Sequence, residues 1–541
     1  MRASFTSAGS LALGALLAVG CGHPARAPDG GSAIDAGRDA AAVDAAGDLD
    51  AGPAVRDTGP AFTRPTRIVA MFVFTPVHVA PRRDSPNVGY LRAGSVVDVV
   101  EGPVGRETCP VHRGHPEGGW YRIRDGGFVC VGGSMAMPYP QRGFVAERPA
   151  DLDASLPYPY AINYGQTMMY RRLPTASDLR EFEPWRFQRP GGDASAEGGA
   201  PSAAPDAGAP TPAPARTAAR DAGRPTLDDL RGERGGPVIR RLLSGMYVAL
   251  DRVVRDRDLG ERYWHTQSGG YVREGRLSPM RSWPTFRGFA LDEQHTLPVA
   301  FMVSEQGWDY LVSPTGRGVS AHRRMARLTG VFLSNDPPIV RGTQTWYRTT
   351  DGRAVHARSV RRALLEAPPA GVGPTDRWVD VDLDEQVLTA YEGPRPVYVT
   401  LVSSGRRDDR HPERNFETPA GSFRVQAKHV TNTMDGDTAA DGPYSIEDVP
   451  WVQYFEGSYA LHAAFWHGYY GWRMSHGCVN LSPFDGRWLF FWTLPSLPVG
   501  WHGVYAGPGR PGTLVRLRHS RANAREVGRP VGAARATTVR P

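Results

Sequence analysis

Residues Leu461–Pro483 read LHAAFWHGYYGWRMSHGCVNLSP, and the rest of the chain is organised around them. An aromatic, glycine-rich loop separates His462 from Cys478, which sits in Ser475-His476-Gly477-Cys478-Val479-Asn480. A thiol attacks well only as thiolate, so a working cysteine needs a base at hand. His462 and His476 are the two candidates. Gly477 lets the backbone turn tightly, which would aim the amides of Gly477 and Cys478 at a developing oxyanion. Zinc is the rival use of His462, His476 and Cys478. Neither H-x-x-x-H nor C-x-x-C spacing is present, so no metal is expected.

The stretch resembles the signature of the YkuD-type L,D-transpeptidase catalytic domain: a histidine, a loop, then Ser/Thr-His-Gly-Cys, a hydrophobic residue, and Asn or Arg. His462, Gly471, Ser475, His476, Gly477, Cys478 and Asn480 match its fixed positions. The resemblance implies a β-sandwich with Cys478 as nucleophile, His462 as base, and His476, Ser475, Gly477 and Asn480 in support. His462 would need its second nitrogen held by an acceptor, a backbone carbonyl for instance. Ala463 follows it where the family often has Gly or Ser, a departure that a carbonyl partner survives. Tyr459, Trp466 and Arg473 are the candidates for lining the substrate cleft, Arg473 facing a stem carboxylate, and His467 is expected on the surface or in a lid. The implied substrate is a peptidoglycan stem tetrapeptide, with no cofactor. Cys478 would displace the terminal D-alanine and pass the acyl group to an amine. Water as acceptor would make the enzyme an L,D-carboxypeptidase. The other class of reading is a non-catalytic, lipid-tethered wall-binding protein, against which the intact nucleophile and base speak. NlpC-type cysteine peptidases place the cysteine before the histidine, the reverse of the order here.

Outward from the motif, residues 376–508 form the expected catalytic domain. Trp378–Leu383 (WVDVDL) alternates as a strand and pairs with Val387–Tyr391; Val397–Val402 follows and ends at Ser403-Ser404-Gly405. Thr418-Pro419-Ala420-Gly421-Ser422-Phe423 then leads into another strand, and both turns recur in the resembled family. Beyond Cys478, Ser482 is a good N-cap, Pro483 suits the first helical position and Asp485 the positive helix end. Phe484, Trp488, Phe491 and Trp492 fall on one face at helical spacing, an expected core stripe.

Upstream, three stretches share one pattern: Trp120–Val129 (WYRIRDGGFV), Tyr263–Val272 (YWHTQSGGYV) and Trp346–Val355 (WYRTTDGRAV). Each is an aromatic strand, a tight glycine turn and a return strand. The first follows Val77–Val100, whose order of strand, proline-rich loop, turn and apolar strand resembles bacterial SH3-like domains. The whole chain is therefore expected to be mainly β, with small SH3-like β-barrels before the sandwich. They are expected at 66–147 and within 236–375, joined by a connecting segment at 148–189. Such modules bind cell-wall peptides or act as spacers, and the residues leave both roles open.

Met1–Cys21 has the layout of a signal peptide, and Ala18-Val19-Gly20-Cys21 resembles a lipoprotein box with Cys21 as the lipidated residue. Export to the periplasm or cell envelope, with a lipid anchor in a membrane, is the expectation. No later segment approaches the ~20 apolar residues of a span. An exported chain would oxidise the close pair Cys109 and Cys130 and leave Cys478 reactive. Ala/Asp/Gly/Pro-rich residues 22–65 and 190–235 are expected disordered linkers, and 509–541 a disordered basic tail. The net charge of +7 is carried almost wholly by arginines scattered among acids, so nucleic acid is not an expected partner.

Overall fold

The computed structural model describes residues 65–109, 118–132, 135–140, 147–187, 225–438 and 442–521. The leader, the Cys21 lipidation site and most of the two linkers lie outside these residues. So does the tail beyond 521. Among the described residues no helix is long and apolar enough to cross a membrane.

The catalytic region is a sandwich of two sheets. One has the order Phe289–Ala290, Arg395–Leu401, Val387–Glu392, Arg377–Asp382, Leu514–Arg518, Gly421–Arg424. The other is built on the long hairpin Ala427–Thr438/Gly442–Glu456, with Tyr459–Ala463, Val479–Leu481 and Gly503–Tyr505. Alternation sets the filling. Val379, Val381 and Leu383 point into the core shared with Phe455, Leu461, Val479, Leu481, Val515 and Leu517. Asp380 and Asp382 point the other way and pair with Arg516 and Arg518. The basic tail therefore starts later than expected. Leu514–Arg518 is a buried strand, parallel to Arg377–Asp382, because its LVRLR alternation matches two apolar residues to the core and two arginines to carboxylates.

The helix Pro483–Trp492 has Ser482 as N-cap, its side chain accepting from the Asp485 amide at 3.1 Å. The aromatic stripe is only partly its core face: Trp488 and Trp492 are half-buried against the core. The buried residues are Pro483, Asp485, Gly486, Leu489 and Phe490, while Phe491 is 40% exposed. Gly486 presses on Ala463, where an added Cβ would come within 2.8 Å of the Ala463 Cβ. Asp485 is buried and accepts from Gly288 N–H, Tyr398 O–H and Thr400 O–H. These contacts set the rotation of the helix, and Trp488 stacks on Tyr398 and on Trp492 beside the core.

Upstream lie three small antiparallel units. All three repeated stretches are hairpins: Gly119–Ile123 with Phe128–Val131, Arg262–Thr266 with Tyr271–Arg273, and Gln344–Arg348 with Arg353–His356. Their turns use glycines at positive φ (Gly126 95°, Gly269 83°, Gly352 82°), and Trp120, Tyr263 and Trp346 are buried. The first unit is closed by the Cys109–Cys130 disulfide, Cα–Cα 5.5 Å.

Two expected boundaries move. The segment 148–189 is not a connector: its strands Tyr160–Asn163 and Thr167–Tyr170 pair with Tyr247–Arg255 and Val238–Leu242 to build the second unit. Residues 225–235 are ordered against it, with Leu230 buried. The third unit, Val299–Ala363, has two sheets of its own and packs Val299, Phe301, Val303 and Ala363 against Trp378, Val387, Tyr391 and Leu401 of the catalytic region. Phe289 and Ala290, just before it, extend the catalytic sheet by pairing with Val399 and Tyr398.

Candidate active site

Strands Tyr459–Ala463 and Val479–Leu481 run parallel, with His462 opposite Asn480 and Leu461 opposite Val479. Parallel neighbours need a long connection, which the loop 464–478 supplies. Leu461, Val479 and Leu481 point into the sandwich core. Alternation then sends Ala460, His462, Cys478 and Asn480 to the opposite face, where Cys478 packs with Ala460, Met434, Val449, Val452 and Tyr454. His462 and Cys478 are thus brought to one face by two adjacent strands. Among the described residues Cys478 is the free cysteine, and it is buried.

The His462 Nδ1–H donates to the Ala463 carbonyl at 3.1 Å. A main-chain acceptor holds the ring, so alanine at 463 does no harm. With the proton on Nδ1, Nε2 keeps its lone pair. Burial lowers the His462 pKa to about 4, the Ala463 bond opposing it, so the imidazole is neutral at pH 7. Trp466 lies over the ring, centroids 5.9 Å apart and planes at 26°. The Cys478 thiol donates to the Ser458 carbonyl at 3.7 Å.

The nucleophile loop is fastened on both sides. Ser475 Oγ donates to the Cys478 carbonyl at 2.5 Å and accepts from the Gly477 N–H at 3.1 Å. The Gly477 amide is therefore committed within the loop, contrary to its expected place as an oxyanion donor. Gly477 has φ 126°, and an added Cβ would lie 2.6 Å from the Tyr459 ring. Thr418 Oγ1 donates to the Gly477 carbonyl at 2.7 Å and accepts from Gly405 N–H at 2.8 Å. Ser403 exchanges two main-chain bonds of 2.9 Å with Asn480. The Ser403-Ser404-Gly405 end and the Thr418 turn, visible as motifs in the sequence, thus act as the two stays of the Cys478 loop.

His476 packs between Phe416 and Tyr444, and its Nε2 lies 3.1 Å from Arg406 Nη2. Because guanidinium only donates, that nitrogen is an acceptor and the ring proton sits on Nδ1. The two histidines face different partners, and among the described residues no group of three metal-ligating side chains forms.

His467 corrects an expectation. It is half-buried, and its Nδ1 accepts from the Tyr469 amide at 3.2 Å. Its remaining proton is then on Nε2, 2.9 Å from the Asn480 amide. Asn480 must turn Oδ1 toward it, which also gives that buried oxygen a partner. Arg473 corrects another. Its guanidinium is occupied by Glu417 (2.9 Å), Asp384 (3.1 Å) and the Leu383 carbonyl (2.7 Å), so it braces the loop rather than facing substrate. Trp466 packs on the cluster that holds Cys478, whereas Tyr459, on the Leu461 side of its strand, packs against the sandwich core and Gly477.

Two upstream units grip the loop between His462 and Cys478. From the second, Tyr160 and Tyr247 pack on Phe465, centroids 4.2 and 5.5 Å away. From the third, Arg327 donates to the Gly468 and Tyr470 carbonyls, both at 2.7 Å, and Arg361 to the Gly471 carbonyl at 3.1 Å. Nothing in the sequence marks these arginines among the many others, because what they recognise is main chain.

The family model for the L,D-transpeptidase catalytic domain, YkuD, matches residues 376–516. Solved structures similar to the chain include an L,D-transpeptidase from Xylanimonas cellulosilytica (26% identity over 28% of this chain and 64% of that chain, TM-score 0.19). The catalytic domain of the Enterococcus faecium L,D-transpeptidase is 25% identical over 27% of this chain and 98% of that one, TM-score 0.20. An L,D-transpeptidase from Mycobacterium smegmatis is 18% identical over 35% and 82%, TM-score 0.21. The chain spans between about half and two thirds of the length of the first three such structures. None of the curated proteins matches it. Residues 376–516, with the motif and sandwich described above, belong to the YkuD family of L,D-transpeptidase catalytic domains.

Proposed function

We propose that the chain is a peptidoglycan L,D-transpeptidase using Cys478 as nucleophile and His462 as base. The observation that carries this reading is the placement of both on one strand face, with His462 Nδ1 held by the Ala463 carbonyl and Nε2 left basic. His462 takes the thiol proton as sulfur attacks the carbonyl of the L,D amide in a stem tetrapeptide. The C–N bond breaks, the proton passes to the departing D-alanine amine, and a thioester remains. An amine of a neighbouring stem then attacks, gives its proton to His462, and forms a cross-link between the third residues of two stems. Cys478 leaves as thiol. Export with a lipid anchor at Cys21 belongs to the same proposal, supported by the Cys109–Cys130 disulfide, which needs an oxidising compartment.

The test is incubation of the purified chain with disaccharide-tetrapeptide, followed by mass spectrometry, beside Cys478→Ala. D-alanine release with a cross-linked dimer, both absent in the variant, is the expected result. Release without dimer assigns a carboxypeptidase. A folded protein that neither turns over nor acylates Cys478 leaves wall binding as its role.

A further inference from the structure

A cavity of 840 Å³ lies between the third upstream unit and the catalytic domain, and neither His462 nor Cys478 lines it. Its walls include Arg327, Arg358 and Arg361 from that unit and Gln386, Trp472 and Met474 from the catalytic region. The volume suits a ligand of several residues. Its charges are unequally satisfied. Arg327 has Glu305 at 3.5 Å, and Arg473, also in the wall, has Asp384 at 3.1 Å. Among the described residues no carboxylate lies within ion-pairing distance of Arg358 or Arg361. Arg358 is exposed, and Arg361 sits over the Trp472 ring, 5.0 Å from its centroid. Glu385 acts on Arg361 from beyond ion-pairing distance, and Glu305 and Asp384 of the wall are held by Arg327 and Arg473. Trp472 is 46% and Met474 40% exposed, an apolar floor beside Arg358 and Arg361.

Guanidinium without a direct ion pair, next to an open apolar wall, recognises a carboxylate attached to an apolar or peptide body. We infer that this cavity is a second peptide site, in which Arg358 and Arg361 take the terminal carboxylate of a wall stem peptide and Trp472 and Met474 its chain. The inference rests on the peptidoglycan reading above. Its position gives it a consequence. The floor Gly471–Met474 runs directly into Ser475, and the Met474 and Ser475 amides both donate to the Ser404 carbonyl, at 3.0 and 3.1 Å. A stem held there presses on the strand that carries the nucleophile loop.

The experiment uses the full chain with Cys478→Ala, so that bound peptide is not consumed. A stem tetrapeptide bearing an N-terminal diazirine is photolysed on it, and labelled residues are mapped by mass spectrometry. Two populations of label are expected: one near His462 and Trp466, the other near Trp472 and Met474. In Arg358→Glu, and with the C-terminal amide of the peptide, the second population should fall about tenfold; Arg358→Lys should restore it. Label confined to the His462 side overturns the second site and leaves the transpeptidase reading intact. Equal label by acid and amide, or by an all-L tetrapeptide acid, overturns the assignment of a stem carboxylate. Label at the cavity alone, together with no acylation of Cys478 when the unaltered chain is incubated with the same peptide, keeps the site and removes the transpeptidase. No label at either place overturns both.

Discussion

At the scale of single residues, the site depends on a histidine kept neutral. His462 is buried and its pKa is lowered to about 4, so its Nε2 is ready to accept a proton without first losing one. Replacing it by glutamine preserves size and polarity but removes the base. His462→Gln is expected to slow acylation of Cys478 by about 10²–10⁴-fold with the fold retained, read by intact-protein mass against time. The same burial has a stability consequence. His429 and His467 are likewise lowered to about 4 by burial. For such groups the unfolded chain binds more protons between their ordinary pKa of about 6.5 and 4, so their contribution is complete above 6.5 and lost as pH falls toward 4. Glu447 acts in the opposite sense, since burial pushes its carboxyl up to about 7. Burial also raises Glu147, Glu366 and Asp485, so Glu447→Gln removes one opposing group among several. Its Tm should therefore fall more steeply between pH 7.5 and pH 4.5 than that of the unaltered chain, and an unchanged slope would contradict the raised carboxyl of Glu447.

At the scale of elements, the loop between the two catalytic strands is the part most in need of support. It must cross from one parallel strand to the next, and it presents polar main chain that the sandwich cannot satisfy by itself. Arg327 supplies two charge-assisted bonds to it from another unit. Arg327→Ala is expected to lower the acylation rate by about ten- to a hundredfold, through misplacement of the loop rather than loss of substrate binding. The check is a fall in kcat with KM little changed, together with faster hydrogen exchange at loop amides; equal loss in a chain with unaltered exchange would refute it. The helix after Cys478 makes the complementary point. Spacing alone identified its N-cap and its helicity, yet the face it buries was decided by the close approach at Gly486 and by the partners of Asp485. Periodicity shows that a helix has an apolar stripe, but not which of two stripes meets the core.

At the scale of the molecule, the first and second upstream units and the catalytic hairpin converge on one residue. Asp448, in the hairpin that covers Cys478, is buried and ion-paired with Arg92 of the first unit. It also accepts from Thr431 Oγ1 at 2.6 Å, while its own carbonyl accepts from Tyr160 of the second unit at 2.6 Å. Arg92 donates onward to the Gln267 carbonyl at 2.7 Å. Asp448→Asn leaves a buried guanidinium without its counter-charge and should cost about 3–5 kcal/mol. Denaturant unfolding measures this, and the double variant Arg92→Met/Asp448→Leu should recover much of the loss. If it does not, the pair contributes through more than charge balance.

The family motif, the start of the domain that carries it, the three hairpins and the Cys109–Cys130 pairing were all legible along the chain, because each is set by local order: a spaced motif, a strand alternation, a glycine turn. The strand Leu514–Arg518 was hidden inside a basic tail, since arginines read as solvated until Asp380 and Asp382 are placed opposite them. Arg473 looked like a substrate ligand for the same reason. The membership of residues 148–189 in the second unit, the grip of Arg327 on the active-site loop and the cavity beneath Trp472 depend on contacts between segments far apart in sequence. One sequence determines such contacts through packing, and only the folded chain displays them, because hydrogen bonds to main chain and the meeting of distant charges leave no pattern in residue order.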